Sequence, residues 1–319
     1  MGRLERVPGG ARLRRFAVLA ASLVVGAATL HFAARNAVAK AVLLAPNALH
    51  GPLPLAALAL PSAFSDRGAF VLRTRVGPPD ATLVSWVAPG LEQATRGTVV
   101  LLHGVRMDKR SLVTIGVALL DAGYRVLLVD LRGHGESTGQ YLTYGVVEAR
   151  DVSAVLDSLA RQATLGSVGA YGFSYGGAVA LELGALDSRV RAVVAVSAFA
   201  SLRQVMGDYE TKYLPGPLKL IPDAWFQGAV DEASRLGGFD PDADSPLRAV
   251  AHSSERVLLI HGTLDTQVPL RHSEQLAAAA GSRASLVTVT GGSHDSMPSD
   301  PSGVVRRETV AWFGRWLAS

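Results

Sequence analysis

The sequence predicts an α/β fold with a mostly parallel central sheet, and three observations carry that prediction. Short continuous apolar runs of the buried-strand type recur between residues 98 and 289. Between them lie segments with apolar residues at helical spacing, so strand and helix alternate. Of 319 residues 49% are apolar and 18% charged, with 33 Gly and 16 Pro, a globular composition that excludes disorder and collagen-like repeats.

Phe70–Val76 and Thr82–Val87 are β-favouring runs separated by Gly77-Pro78-Pro79-Asp80, which predicts an antiparallel start to the sheet. Thr98–Leu102 and Tyr124–Val129 are buried-type strands on either side of a helix over Leu112–Leu120. Val146–Leu159 has apolar positions at helical spacing with Glu148, Arg150, Asp151 and Asp157 opposite. A strand over Val168–Tyr171, a helix over Ala178–Gly184 and strands over Ala192–Val196, Val257–Ile260 and Ser285–Val289 complete the pattern. An insertion at about 199–252 separates two of these strands and is expected to fold as a short helical cap over a site. Its Trp225 and Phe226, with Leu214, Leu218, Leu220 and Ile221 nearby, are the expected apolar substrate-binding residues.

The formal charge of +4 comes from the N-terminus. Residues 1–40 hold Arg3, Arg6, Arg12, Arg14, Arg15, Arg35 and Lys40 against Glu5 alone, so the remainder is slightly acidic. The body lacks the basic surplus that nucleic-acid binding requires. Behind the basic arm at 1–15 comes an apolar run, Phe16 to Ala34, long enough to cross a hydrocarbon core as helix. Its length favours a retained single-pass signal anchor over a cleaved signal, for which Ala37-Val38-Ala39 offers a processing site. The arginines before it predict a cytoplasmic N-terminus and a body on the outer side of the membrane, or secretion if the signal is cleaved. Residues 35–63 then read as an apolar membrane-proximal linker that lies along the membrane or packs on the domain, and 64–319 as the α/β domain.

Gly172-Phe173-Ser174-Tyr175-Gly176 fits Gly-x-Ser-x-Gly between a strand and a small-residue helix, the context that lifts a serine hydroxyl out of a sheet edge. Gly177 permits close packing behind it. Serine needs a base to attack at neutral pH, and the base needs a carboxylate to orient it. Asp265 follows the strand Val257–Ile260, and His294 follows the last strand in Gly291-Gly292-Ser293-His294-Asp295. The order Ser, Asp, His after successive strands selects these three from the other acids and histidines. His103-Gly104 precedes a loop in which the Val105 N–H, with that of Tyr175, is placed to bind an oxyanion, making His103 a shaping residue. Gly133-His134-Gly135 invites a dinucleotide-loop reading, but the spacing to Gly139 is one residue too long and no helix starts there. The chain has no Cys, which removes thiolate metal sites and Cys nucleophiles. No cofactor or metal is expected.

His103-Gly104, the run Asp130 to Gly139, the Gly172–Gly176 elbow and the loops carrying Asp265 and His294 together resemble the α/β-hydrolase superfamily. Within it the chain is similar to bacterial membrane-associated hydrolases grouped with serine aminopeptidase S33-like and prolyl-oligopeptidase-like branches. The resemblance spans roughly residues 70 to 318. It implies Ser174 as nucleophile, His294 as base, Asp265 as its orienter, and Val105 and Tyr175 as oxyanion donors. The expected activity is hydrolysis of an ester, thioester or amide, with a carboxylic ester of apolar, lipid-like acyl part favoured. A serine peptidase or an acyltransferase is the alternative, and a non-enzymatic membrane scaffold is disfavoured by the complete set of Ser, His and Asp.

Overall fold

A computed structural model describes residues 9–53, 59–89 and 95–317, without the side chains of 9–21, 23–25, 27, 49 and 50. β1 (Phe70–Val76) and β2 (Ala81–Ala88) pair antiparallel, and β2 runs antiparallel to β4 (Arg125–Val129). From β4 outward every neighbour is parallel: β3 (Thr98–Leu102), β5 (Val168–Phe173), β6 (Val190–Val196), β7 (Arg256–Gly262) and β8 (Ala284–Val289). The spatial order is β1-β2-β4-β3-β5-β6-β7-β8. The antiparallel start and mostly parallel sheet are as the sequence predicts.

The period of two along each strand divides the core between two faces. Val100, Leu102, Leu127 and Val129 face one side, whereas Val99, Leu101, Val126 and Leu128 face the other. The first face is covered by α5 (Val146–Ala160) and α6 (Tyr175–Leu186), the second by α4 (Val113–Asp121) and α11 (Val304–Trp316). Burying each such aliphatic side chain contributes about 1.5–3 kcal/mol, which is why the central strands carry no polar residue beyond Thr98 and Arg125 at their edges. The sequence pattern does not reveal α11, because its inward face is Val305, Thr309 and Phe313, with a threonine in the middle of the stripe.

Before the sheet, the chain forms one helix, α1 (Gly9–Leu43), and the one-turn helices α2 (Asn47–His50) and α3 (Ser62–Ser65). After β6 the cap comprises α7 (Leu202–Tyr213), α8 (Asp223–Gly237) and α9 (Pro246–His252); α10 (Arg271–Ala280) follows β7. The expected spanning run Phe16 to Ala34 lies inside α1, with most of its side chains outside the described residues. Among the described residues no helix is long and apolar enough to cross a membrane.

Beyond that run α1 meets the body. Ala39 and Leu43 are buried against Ala233 of α8, and the Arg35 guanidinium donates to the Gly228 carbonyl at 2.8 Å. The Leu142 N–H donates to the Leu43 carbonyl, and the Asn47 side chain donates to the carbonyls of Gly135 and Ser137 at 2.9 Å each. Residues 35–47, expected as part of a linker, are therefore packed on the domain.

Candidate active site

In this sheet β4 and β5 leave β3 on opposite sides, so the carboxyl ends of β3 and β5 border a topological switch point, where open α/β sheets place ligands. Val105 follows β3 and Ser174 follows β5. Ser174 sits at φ +52° and ψ −115°, a strained backbone for a non-glycine residue, between the end of β5 and the first turn of α6. The turn is tight enough that a Cβ on Gly172 would lie 2.0 Å from the Gly176 carbonyl oxygen, and one on Gly176 would lie 2.2 Å from that of Leu102. The Ser174 N–H donates to the Val196 carbonyl at 2.8 Å, tying the turn to β6. Helix α6 begins at Tyr175, three residues earlier than its apolar pattern suggests, because Gly176 and Gly177 interrupt the stripe.

The structure brings Ser174, Asp265 and His294 together. His294 Nε2 lies 3.0 Å from Ser174 Oγ, and His294 Nδ1 lies 2.7 Å from Asp265 Oδ2. With Nδ1–H donating to the carboxylate, Nε2 is left to accept the serine hydroxyl proton. The other Asp265 oxygen accepts the N–H groups of Gln267 and Val268 at 3.0 and 2.9 Å. Burial pushes the Asp265 carboxyl up, but the bond and charge of His294 and the Val268 N–H outweigh it and hold the group below the ordinary carboxylate range. His261 braces this loop from beneath: its Nε2–H donates to the Val268 carbonyl, and its Nδ1 accepts from Ser273, both at 2.7 Å.

The run Asp130 to Gly139 builds the frame for the opposite wall. Lys109, fully buried, pairs with Asp130 at 2.5 Å and Glu136 at 2.6 Å, and Asp130 also accepts the Lys109 and Glu136 N–H groups. Arg132 makes a bidentate pair with Asp151 at 2.7 and 2.8 Å. Gly135 at φ +52° allows the chain to turn onto Asp130, whose carboxyl carbon a Cβ there would meet at 2.3 Å. His103 Nε2 accepts the Leu131 N–H at 3.0 Å while its Nδ1–H donates to the Gly104 carbonyl, so this frame fixes the turn that carries Val105. Burial lowers the His103 pKa to about 4 and that of His134 to about 3, so both are neutral at pH 7.

Ser174 opens into a cavity of about 580 Å³. Val105 and Tyr175, the expected oxyanion donors, are among its lining residues. Trp225 and Phe226 are not: they lie on α8, where Trp225 packs edge-to-face with His31 of α1 and with Phe226. The aromatic lining comes instead from Tyr144, Phe199, Tyr209 and Tyr213, with Val205 and Met206 beside them. Part of the wall is α1 itself, through Val38, Ala41 and Val42, and Tyr144 donates its hydroxyl to the Val42 carbonyl at 2.7 Å. On α8, Trp225 is taken up by this contact with α1 instead of facing the cavity. No local sequence signal marks Val38 or Val42 as wall residues, since they read as an extension of the apolar run. The amphipathic spacing Val205, Met206, Tyr209, Tyr213 on α7 is the signal that points to the inward face of the cap.

Comparison with known proteins agrees with this fold. The model of a family described as "Alpha/beta hydrolase family" matches residues 99–307. The uncharacterized protein YqkD of Bacillus subtilis is 28% identical over 223 residues, covering 69% of this chain and 71% of that protein. Among solved structures, the Pyrococcus furiosus esterase Pf2001 superposes with a TM-score of 0.61 at 19% identity over 82% of this chain and 97% of its own. A Pyrococcus horikoshii acylaminoacyl peptidase gives a TM-score of 0.58 at 17% identity, over 79% of this chain and 42% of its own. At these identities the two structures show a shared fold.

Proposed function

Since the chain belongs to the alpha/beta hydrolase family, we propose that it is a serine hydrolase in which Ser174 attacks an acyl carbonyl. The observation that carries this is the continuous relay Ser174–His294–Asp265 at 3.0 and 2.7 Å, opening into the cavity. Ser174 Oγ bonds to the carbonyl carbon while His294 Nε2 takes its proton, and the resulting imidazolium is stabilised by Asp265. The N–H groups of Val105 and Tyr175 receive the oxyanion, the second as an unpaired donor of the first turn of α6. Collapse breaks the bond to the leaving group, which takes the proton from His294; water, deprotonated by the same imidazole, then frees the acid and restores the serine.

The substrate we favour is a carboxylic ester with an apolar acyl chain. The support is the wall of Val38, Val42, Phe199, Val205 and Met206, which matches a hydrocarbon chain better than a peptide backbone. Placement beside the S33-like and prolyl-oligopeptidase-like branches rests on the motif order alone and belongs to the same proposal. So does the retained anchor at Phe16 to Ala34, with the catalytic body on the outer side of a bacterial inner membrane, supported by its length and the arginines before it.

The test is fluorophosphonate labelling of the full chain in cells, followed by fractionation and turnover of an ester chain-length series beside aminoacyl amides. A single adduct on Ser174, absent in Ser174→Ala and His294→Ala and found with the membranes, is the expected result. Product analysis with added alcohol separates hydrolysis from acyl transfer. Cleavage of the amides alone would move the reading to a peptidase, and undiminished turnover by Ser174→Ala would overturn it.

A further inference from the structure

Among the described residues that line the cavity with Ser174, Arg106 is the one that carries a full charge. It has no hydrogen-bond or ion-pair partner among the described residues, and it is exposed at the cavity's edge, where it forms part of the lining. Its backbone lies at φ +61°, a region that non-glycine residues seldom adopt. The turn that imposes this is fixed on both sides. The Met107 N–H donates to the Gly104 carbonyl at 3.1 Å, the same carbonyl that His103 Nδ1–H holds at 2.8 Å. Arg106 is therefore aimed by a rigid turn, directly after Val105.

Among the described residues the cavity lining around it offers no counter-charge. Phe199, Val205 and Met206 are apolar, and Tyr144 and Tyr209 present phenols whose ionisation the Arg106 charge favours against the effect of burial. The relay's carboxylate, Asp265, is committed to His294 and to two backbone N–H groups. A neutral substrate that filled the cavity would strip water from the guanidinium and give it no counter-charge, whereas an anionic one would pair with it.

We propose that Arg106 is a specificity-determining residue that holds an anionic group, a carboxylate or a phosphate, carried by the acyl substrate close to its scissile carbonyl. The proposal rests on the serine hydrolase reading and narrows it to amphiphilic, negatively charged esters. The cavity then has two ends: hydrocarbon against α1 and α7, anion at the turn after β3.

The experiment compares kcat/KM of the full chain on matched pairs. One pair is a straight-chain ester and the half-ester of the dicarboxylic acid of equal length; the other is a monoacylglycerol and its phosphate. The variants are Arg106→Asn, whose side chain tolerates the left-handed backbone, and Arg106→Lys, which keeps the charge. The wild type should favour the anionic member of at least one pair, and Arg106→Asn should cut that preference about tenfold or more, mainly through KM. Arg106→Lys should restore part of it, and added salt should erode it. Preference confined to the phosphate pair assigns a lipid headgroup, and preference confined to the half-ester assigns a free carboxylate. Equal ratios in wild type and Arg106→Asn overturn the proposal while fluorophosphonate labelling of Ser174 persists; loss of labelling in the wild type overturns the underlying hydrolase reading as well.

Discussion

Two aspartate–histidine pairs of equal length lie close together in this molecule, and they do different things. His294 meets Asp265 at 2.7 Å, and His272 of α10 meets Asp208 of α7 at 2.7 Å. Both imidazoles are buried, and both carboxylates accept further donors. They differ at the second nitrogen. His294 turns Nε2 to a serine hydroxyl at the edge of a cavity, whereas His272 spends Nδ1 on the Ala200 N–H at 3.1 Å. With both nitrogens satisfied internally, His272 has no position from which to move a proton. Its pair is instead a brace: Asp208 also receives Arg271, and so holds the cap helix α7 to the body. An Asp–His contact is thus not a catalytic signature by itself; the partner of the remaining nitrogen decides.

The sharpest way to break this comparison is to neutralise one carboxylate and leave its shape. In Asp265→Asn, the carbonyl of the new amide can still accept from Gln267 and Val268, which leaves NH₂ facing His294. The imidazole must then present Nδ1 as acceptor and carry its proton on Nε2, where it cannot receive the serine's. We expect kcat to fall by about 10⁴-fold with the melting temperature nearly unchanged, read by ester turnover and calorimetry. A loss below tenfold would show that Asp265 is, like Asp208, a brace.

The same criterion separates what the sequence made legible from what it did not. Ser174, Asp265 and His294 stand out because each follows a strand in a fixed order, and the strands announce themselves as unbroken apolar runs. The Asp130 to Gly139 run was conspicuous, but its task was not: pairing with buried Lys109 and docking Leu131 on His103 are contacts across 20 to 30 residues that no local pattern encodes. Trp225 and Phe226 misled because their hydrophobicity says that they are covered without saying by what. For Trp225 the cover is His31 of α1, almost 200 residues earlier, and the same helix places Val38 and Val42 in the cavity wall. Arg106 was illegible for a simpler reason, since an arginine in a loop is ordinary until the residues around it are known.

Buried histidines away from the relay also set the response to acid. His103 and His134 have pKa values lowered by burial to about 4 and about 3, against about 6.5 in an unfolded chain. Between those values the unfolded state binds more protons than the folded one, so stability falls as pH falls below about 6.5. The loss is on the order of 3 kcal/mol for His103 and about 5 kcal/mol for His134 once each folded pKa is reached. His134→Phe keeps the ring contacts with His103 and Tyr175 but cannot titrate. Melting curves from pH 8 to 5 should fall less steeply for this variant than for the wild type, and parallel curves would remove His134 from the account.

The smallest expected effect is at the second pair. Asp208→Ala leaves the His272 Nε2–H without its acceptor in a buried setting and frees Arg271, which costs about 1–3 kcal/mol. The serine, its base and the oxyanion turn lie on other elements and keep their geometry. What loosens is α7, whose Val205, Met206 and Tyr209 line the cavity and whose other tie to the catalytic loops is Lys212 to Thr266 at 2.9 Å. Turnover of long-chain esters should therefore change by a few-fold in KM with little change in kcat, the reverse of Asp265→Asn. Equal falls in kcat for both variants would mean that the brace and the relay are one unit, and that the cap is part of the chemistry rather than a wall around it.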